Sequence, residues 1–357
     1  MNQPSGDAEP GSDIANSTQA DAIDGGTSSV RHAKVSSALV QAFRHGRGRA
    51  ARTPFAIPAR GWWDIVRRVA DKVTRENVSI LSAGVAFYAM LAIFPALGAI
   101  VTLYALVANP DDVTTHFRAI ASIIPPDVAN IIDGQLTSLA RREQEKLGVG
   151  VLVGVLFSVW SAHRGVDALV RAVTIAYEEE ETRGFVRMNL LTYLLTLGAI
   201  LLVVTTVALL VAVPTALAWL PVSGLATLAG RAFGWVVFVT AVLLALSVLY
   251  RYAPPRRPAN WRWVSLGALT GTFLWLAGSV GFSLYVTSFA NYNETYGTLG
   301  AIIVLLLWFY LTSYSIVLGA ALNAEMEHQT ARDTTIGGDQ PLGERGAYVA
   351  DTLGDIP

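Results

Sequence analysis

Residues 188–213 read MNLLTYLLTLGAILLVVTTVALLVAV, twenty-six positions without one charged side chain. Crossing a bilayer core takes ~20 consecutive apolar residues of helix. Within that core every backbone N–H and C=O needs a partner inside the segment, which an α-helix supplies. Comparable runs occur at about 80–107, 233–250, 264–289 and 299–322, the first with Pro95 as the expected kink. The chain is 53% hydrophobic and only 15% charged, with mean hydropathy +0.45. Soluble domains carry ~25% charged residues, so the deficit points to a polytopic membrane protein. Cysteine is absent. That excludes disulfides, thiolate catalysis, cysteine zinc sites and iron–sulfur clusters. The first apolar run starts near Ile80 behind a polar arm, and no cleavable signal peptide is visible.

One further span is ambiguous. The apolar part of residues 147–162 covers about sixteen residues, or ~24 Å at 1.5 Å per residue, short of the ~30 Å core. It then runs into His163, Arg164, Asp167 and Arg171 on one broad helical face. Two readings stand. In one, the helix leaves the membrane near Trp160 and continues to about Tyr177 with solvated ion pairs. In the other, Arg164 and Arg171 turn onto a wet inner cleft and grip an anionic headgroup.

Lysine and arginine counts set the orientation. With the N-terminus in the cytoplasm, inside segments hold twenty-one and outside loops five. An even number of spans preserves that asymmetry, so six spans with both termini inside are expected. Residues 1–59 are expected to be a disordered cytoplasmic arm, 60–325 the membrane domain, and 326–357 a cytoplasmic tail. Residues 60–73, RGWWDIVRRVADKV, predict an amphipathic helix lying in the inner interface, with Arg67, Arg68 and Lys72 near the margins of its apolar side. An ordinary helix packed on protein is the alternative. Residues 111–146 predict two amphipathic helices in the first outer loop. The expected fold class is therefore all-α: a six-helix transmembrane bundle with amphipathic helices in that loop and before the first span.

Four stretches carry a resemblance. LSAGVAFYAMLAIFPAL (81–97), WSAHRGVDALVRAVTIAYEEEETRGFVR (160–187), LYRYAPPRR (249–257) and the run from Tyr292 to Asp333 resemble the YihY/BrkB family of bacterial inner-membrane proteins. The resemblance implies six helices, a place in the bacterial cytoplasmic membrane, and no settled biochemical activity. That family has carried the labels "virulence factor" and "ribonuclease BN", and some members have been linked to moving lipid or envelope precursors. Family members often have Glu at the third position of the stretch that here reads Gly319-Ala320-Ala321-Leu322-Asn323-Ala324-Glu325. Ala321 puts any mechanism needing that carboxylate in doubt, unless Glu325, one turn on, substitutes.

The residues argue against an enzyme. The five histidines (32, 45, 116, 163 and 328) show no metal-site spacing, and there is neither a phosphate-binding Gly-rich loop nor a G-x-S-x-G turn. No cofactor, metal or nucleic-acid partner is expected. The acidic run Glu178–Glu181 reads as a solvated helix end. Five of the spans lack any charge in their apolar cores, which disfavours ordinary ion-coupled transport. Small residues at four-residue spacing, such as Gly267 and Gly271, suit helix packing or an acyl groove. The candidate contacts for substrate or headgroup are His163, Arg164, Asp167 and Arg171, then Glu294 and Tyr296 in the last outer loop, and Asn323 and Glu325 at the inner end of the sixth span. Expected partners are membrane lipids, anionic ones above all, with a homo-oligomer or other envelope proteins as further candidates. The function expected is movement of lipid or an envelope component, with a non-catalytic scaffold as the alternative.

Overall fold

The computed structural model describes residues 46–107, 147–218, 224–288 and 298–356. The two outer-loop amphipathic patterns at 111–146, and Glu294 and Tyr296, lie outside the described residues. The regular structure within them is helical: α1 (Ala59–Arg75), α2 (Val78–Val107), α3 (Leu147–Ala176), α4 (Phe185–Ala218), α5 (Gly224–Tyr252), α6 (Trp261–Ser288), α7 (Thr298–Gln329) and a single turn α8 (Tyr348–Asp351). The extended pairing among the described residues is one isolated bridge, Ala259 to Thr335.

The helices follow from the runs of apolar residues. Parts of α4, α5, α6 and α7 are each long and apolar enough to cross a membrane, and α1 with α2, bent by 64° between them, make a fifth if taken as one broken span. Within their apolar windows only 11–22% of residues are buried. Leu194, Leu197, Leu201 and Val204 of α4 stand exposed. So much apolar surface is compatible with a hydrocarbon surround and not with water.

Helices α2 to α7 pack in a closed ring, each against its neighbour in sequence, and α7 returns to α2. Helix α7 also touches α1, α3 and α8, which makes it the hub. Small residues allow its close approach to α6. Asn323 Oδ1 accepts from Gly267 N at 2.8 Å, and its Nδ2 donates to Val264 O at 3.1 Å. A Cβ at Gly267 would collide with that amide and with the Gly319 carbonyl. Gly267 and Gly271 therefore serve helix packing, as four-residue spacing allows. Ser82 and Ala86 of α2 are likewise buried.

The packed core lies at one end, where the C-terminal halves of α3, α5 and α7 meet α1 and the start of α6. Val170, Val173, Tyr250, Val264, Val317, Ala320 and Ala324 are buried there. Ala321, also buried in this core, fills a position where a carboxylate would have to be desolvated.

One expectation differs from what is observed at this end, and two gain detail. Disorder was expected through residue 59, but residues 46–59 are folded against α1 and α7: Thr330 Oγ1 donates to Ala51 O at 2.7 Å and Arg49 Nη1 to His328 O at 2.9 Å. The polar C-terminal segment folds back as well. Arg345 donates to Ala350 O and Ala331 O, and Gly354 N to His328 O. Helix α1 turns charge inward. Gly61, Asp64, Ile65, Arg68 and Lys72 form its buried stripe, while Trp63 and Val66 are exposed. The apolar pattern alone hides this, because a stripe at 3.6-residue spacing fixes a face but not which partner charges wait opposite it.

Candidate functional site

Two left-handed residues shape the charged end. Asn77 (φ 51°) lies between α1 and α2, and Glu178 (φ 55°) ends α3. A left-handed residue after the last helical turn is a common helix stop, and Asn tolerates it better than most. At Glu178 it brings the carboxylate back onto α1, where Lys72 Nζ lies 2.8 Å from Glu178 Oε1. The same ammonium is 3.0 Å from Glu325 Oε1 and donates to Ala176 O at 3.1 Å. Arg68, one turn earlier on α1, sets Nε 2.6 Å from Glu325 Oε2 and donates through Nη2 to the Glu325 carbonyl and to Gln329 Oε1. One buried carboxylate on α7 thus receives two cations from α1, and one of these also reaches the end of α3. Side-chain exposure is 0% for Lys72 and 2% for Glu325, so none of these charges can be left without its partner cheaply.

Beside this cluster lies a hollow of about 820 Å³, lined among others by Arg68, Asp71, Arg75, Glu178, Glu325 and His328. The C-terminal residues from Tyr348 to Asp355 close one side. His328 Nε2 is 2.7 Å from Thr352 Oγ1, and its Nδ1 is 3.7 Å from Glu325 Oε2.

A second ion pair sits across α7. Arg256, in the turn between α5 and α6, meets Glu327 at 2.6 and 3.2 Å. Thr334 Oγ1 also donates to this carboxylate, at 2.6 Å. The guanidinium of Arg256 stacks over Tyr177 at 4.5 Å. Burial alone would lower the Arg256 pKa; the Glu327 carboxylate outweighs it and holds the group above the usual arginine value. Burial pushes the carboxyl of Glu179 up, although it accepts from Tyr348 N at 2.8 Å. Asp333, below α7, shows the opposite balance. Burial would raise it, but N–H groups of Thr335 and Gln340 hold it below the usual carboxylate range.

Among the described residues, those singled out from sequence do not form one cluster. His163 is buried and stacks on Tyr193 of α4, ring centroids 3.9 Å apart, and its Nδ1 has no hydrogen-bond partner. Arg164 is exposed, with its guanidinium 5.6 Å from the Trp160 ring. Asp167 and Arg171 pair along the helix at 3.0 Å, with Arg171 57% exposed. Asn323 is the α6–α7 clamp described above. Glu325 alone of these residues lies in the buried cluster. Lys72, Arg68, Glu178, Arg256 and Glu327 are not marked as a site by the sequence pattern. The available signal was the spacing of Arg68 and Lys72, four apart, with Gly61, Asp64 and Ile65 on the same face.

Glu178, Glu325 and His328 each offer an atom within 4.8 Å of the others, as a metal site would require. Lys72 Nζ nevertheless lies within 3.0 Å of both carboxylates. The ammonium neutralises the two groups a divalent ion would need, and Arg68 adds a second positive charge. This donor set suits an internal ion pair better than a metal.

A model of the BrkB virulence-factor family matches residues 69–342. The putative ribonuclease-like protein YfkH of Bacillus subtilis is 34% identical over 72% of this chain and 94% of its own length. A UPF0761 membrane protein of Vibrio cholerae is 24% identical over 73% of this chain and 87% of its own, and one from an Azoarcus species is 24% identical over 74% and 63%. No solved structure matches.

Proposed function

Since the chain belongs to the BrkB virulence-factor family of membrane proteins, we propose that it is a six-span protein of the bacterial inner membrane, both termini cytoplasmic, that moves or helps to move an anionic lipid or another envelope component. One observation carries this reading: α1, α3 and α7 meet at a charged hollow of about 820 Å³, on the side where lysine and arginine counts put the cytoplasm. The spans are α2 and α3 to α7. In this reading Arg68 and Arg75 face a polar headgroup from the hollow's wall, and Lys72, holding Glu178 and Glu325 together, forms an inner closure that joins three elements. Charge-free apolar runs elsewhere suit acyl chains better than ions.

The experiment is lipid movement in liposomes containing the purified protein, followed with labelled phosphatidylglycerol. Wild type is expected to accelerate exchange between leaflets, and Arg75→Ala to slow it. Arg164→Ala and Arg171→Ala report whether the exposed face of α3 takes part. If no labelled anionic lipid moves faster than in protein-free vesicles, the transport reading fails.

A second reading is a non-catalytic scaffold. It is favoured by the tight closure of the inner end, where the Glu327 and Arg256 side chains are 0% and 1% exposed. Deleting residues 1–45 would then abolish function while Arg75→Ala is silent. The ribonuclease-like name of one relative is not carried over, because Lys72 lies between the carboxylates that a nuclease metal would need.

A further inference from the structure

We propose that a notch of about 340 Å³ beside the α5–α6 turn binds the phosphate group of an anionic phospholipid at the inner membrane interface. This inference does not depend on transport, since a lipid held there need not be moved.

The notch is lined by Arg183, Arg251, Arg256 and Arg257, with Tyr252 and Gly346 at its edges. Four guanidinium groups converge from three places in the chain: the link before α4, the end of α5, and the turn after it. Carboxylates answer three of them. Arg183 pairs with Glu181 at 2.7 Å and Arg256 with Glu327 at 2.6 Å. Arg257 Nη1 is 3.9 Å from Asp333 Oδ2, beyond hydrogen-bond reach. Arg251 has no carboxylate within 4.0 Å among the described residues. Its Nη1 donates to Ala259 O at 2.7 Å, and its guanidinium stacks 4.4 Å from the Trp261 ring. Among the described residues, Arg251 is thus the one of the four guanidinium groups without a carboxylate partner within 4.0 Å, while Arg256 feels Glu179 as well as Glu327.

Arg183 is fully engaged by Glu181 and the Tyr252 and Ala253 carbonyls, but three donors of the other arginines are unfilled. Arg251 Nε, Arg256 Nε and Arg257 Nη1 are all buried without a hydrogen-bond acceptor. The Arg256 side chain is 1% exposed and Arg251 as a whole 9%. Leaving buried N–H groups of charged side chains unmade is costly, and such groups call for an acceptor. The walls contributed by Pro254, Pro255 and Pro258 have no backbone N–H, so recognition falls to the arginines. Planar guanidinium groups match the oxygens of a phosphate in pairs.

A lipid is favoured over a free phosphate compound by what surrounds the notch. Tyr252, which lines the notch, and Trp261, stacked on Arg251, are exposed at the end of α5 and the start of α6, and Phe185 and Val186, which closely follow Arg183 in the chain, are exposed at the start of α4. Aromatic residues at helix ends sit at headgroup level. The phosphate would reach the arginines while the acyl chains lie along the apolar faces of α4 and α5.

Lipid binding to the full chain in mild detergent, read by native mass spectrometry, tests this. One phosphatidylglycerol per chain is expected to bind well ahead of phosphatidylcholine. Arg257→Gln should weaken it roughly tenfold, the loss of one charge-assisted contact, and Arg251→Gln with Arg257→Gln by more. Arg332→Gln, an exposed arginine below α7, should leave it unchanged. Arg257 is partly exposed, so its variant decides the matter even if the buried Arg251 change prevents folding. Unchanged phosphatidylglycerol affinity in Arg257→Gln, or equal binding of phosphatidylcholine, overturns the proposal. Displacement of the lipid by millimolar inorganic phosphate would overturn the lipid assignment in favour of a free phosphate ligand.

Discussion

Lys72→Met keeps the side-chain stem and removes the ammonium that joins α1 to α3 and α7. Lys72 is 0% exposed, 2.8 Å from Glu178 and 3.0 Å from Glu325. Removing one partner of a buried ion pair costs about 3–5 kcal/mol, because the other charge stays desolvated and unpaired. Two features put Lys72→Met near the lower bound, about 3 kcal/mol. Arg68 still holds Glu325 at 2.6 Å, and Glu178, 27% exposed, can turn to water. Glu325→Gln leaves Lys72 and Arg68 both buried, with Glu178 and the more distant Glu76 as the carboxylates near Lys72, so about 4 kcal/mol is expected. In the double variant one charge of each sign disappears together. Coupling within such a network runs to about 1–3 kcal/mol, so the double variant should lose about 4–6 kcal/mol rather than the additive ~7. Titration with sodium dodecyl sulfate in mild-detergent micelles, followed by tryptophan fluorescence, gives the four free energies of the cycle. Additivity within about 0.5 kcal/mol would refute the reasoning, as would a Lys72→Met loss under about 1 kcal/mol.

Gly267→Ala should destabilise by about 2–4 kcal/mol through overpacking and loss of the Asn323 amide contact, and Asn323→Leu by about 1–3 kcal/mol through loss of the two hydrogen bonds between helices; unfolding in the same micelles measures both. At α3, Arg171→Ala should change stability by less than about 0.5 kcal/mol, since its pair with Asp167 is exposed. His163→Phe should be neutral or stabilising, because it keeps the stack on Tyr193 and removes an unpartnered nitrogen; a large loss of stability in that variant would contradict the packing assigned to it. Asp333 has a depressed folded pKa, so its contribution is present above the ordinary carboxylate pKa of ~3.9 and lost as pH falls through the lower folded value. Asp333→Asn should therefore lower stability at neutral pH by about 1–2 kcal/mol and flatten the acid limb of a stability–pH profile below about pH 4. An unchanged acid limb would show that its hydrogen bonds to Thr335 and Gln340 contribute nothing.

Much of the helix layout is legible in the hydropathy pattern. The charge-free run at 188–213 lies inside α4, and the ambiguous stretch from Leu147 extends as one helix to Ala176. That helix has thirty residues, ~45 Å at 1.5 Å per residue, so its apolar half does not have to cross the bilayer alone. His163 and Arg171 draw attention in the sequence because they follow directly on an apolar run. Yet a charge at the end of a long helix has a cheap solution, turning toward water or the interface, as Arg164 and Arg171 do. Lys72 looked ordinary because it sits in a basic, polar stretch where charges are commonplace.

Sequence by itself determined which segments cannot remain in water and that they are helical. Those are sums over neighbouring residues, and hydrocarbon leaves backbone groups no other partners. Only the tertiary structure decided that Lys72 and Arg68 meet Glu325, that Arg256 meets Glu327, and that residues 46–59 and the C-terminal segment pack beneath α7. Arg68 and Glu325 are separated by 257 positions. Burying either charge is unfavourable until the other is in place, so their burial belongs to the assembled fold and leaves no mark in the local pattern of either helix.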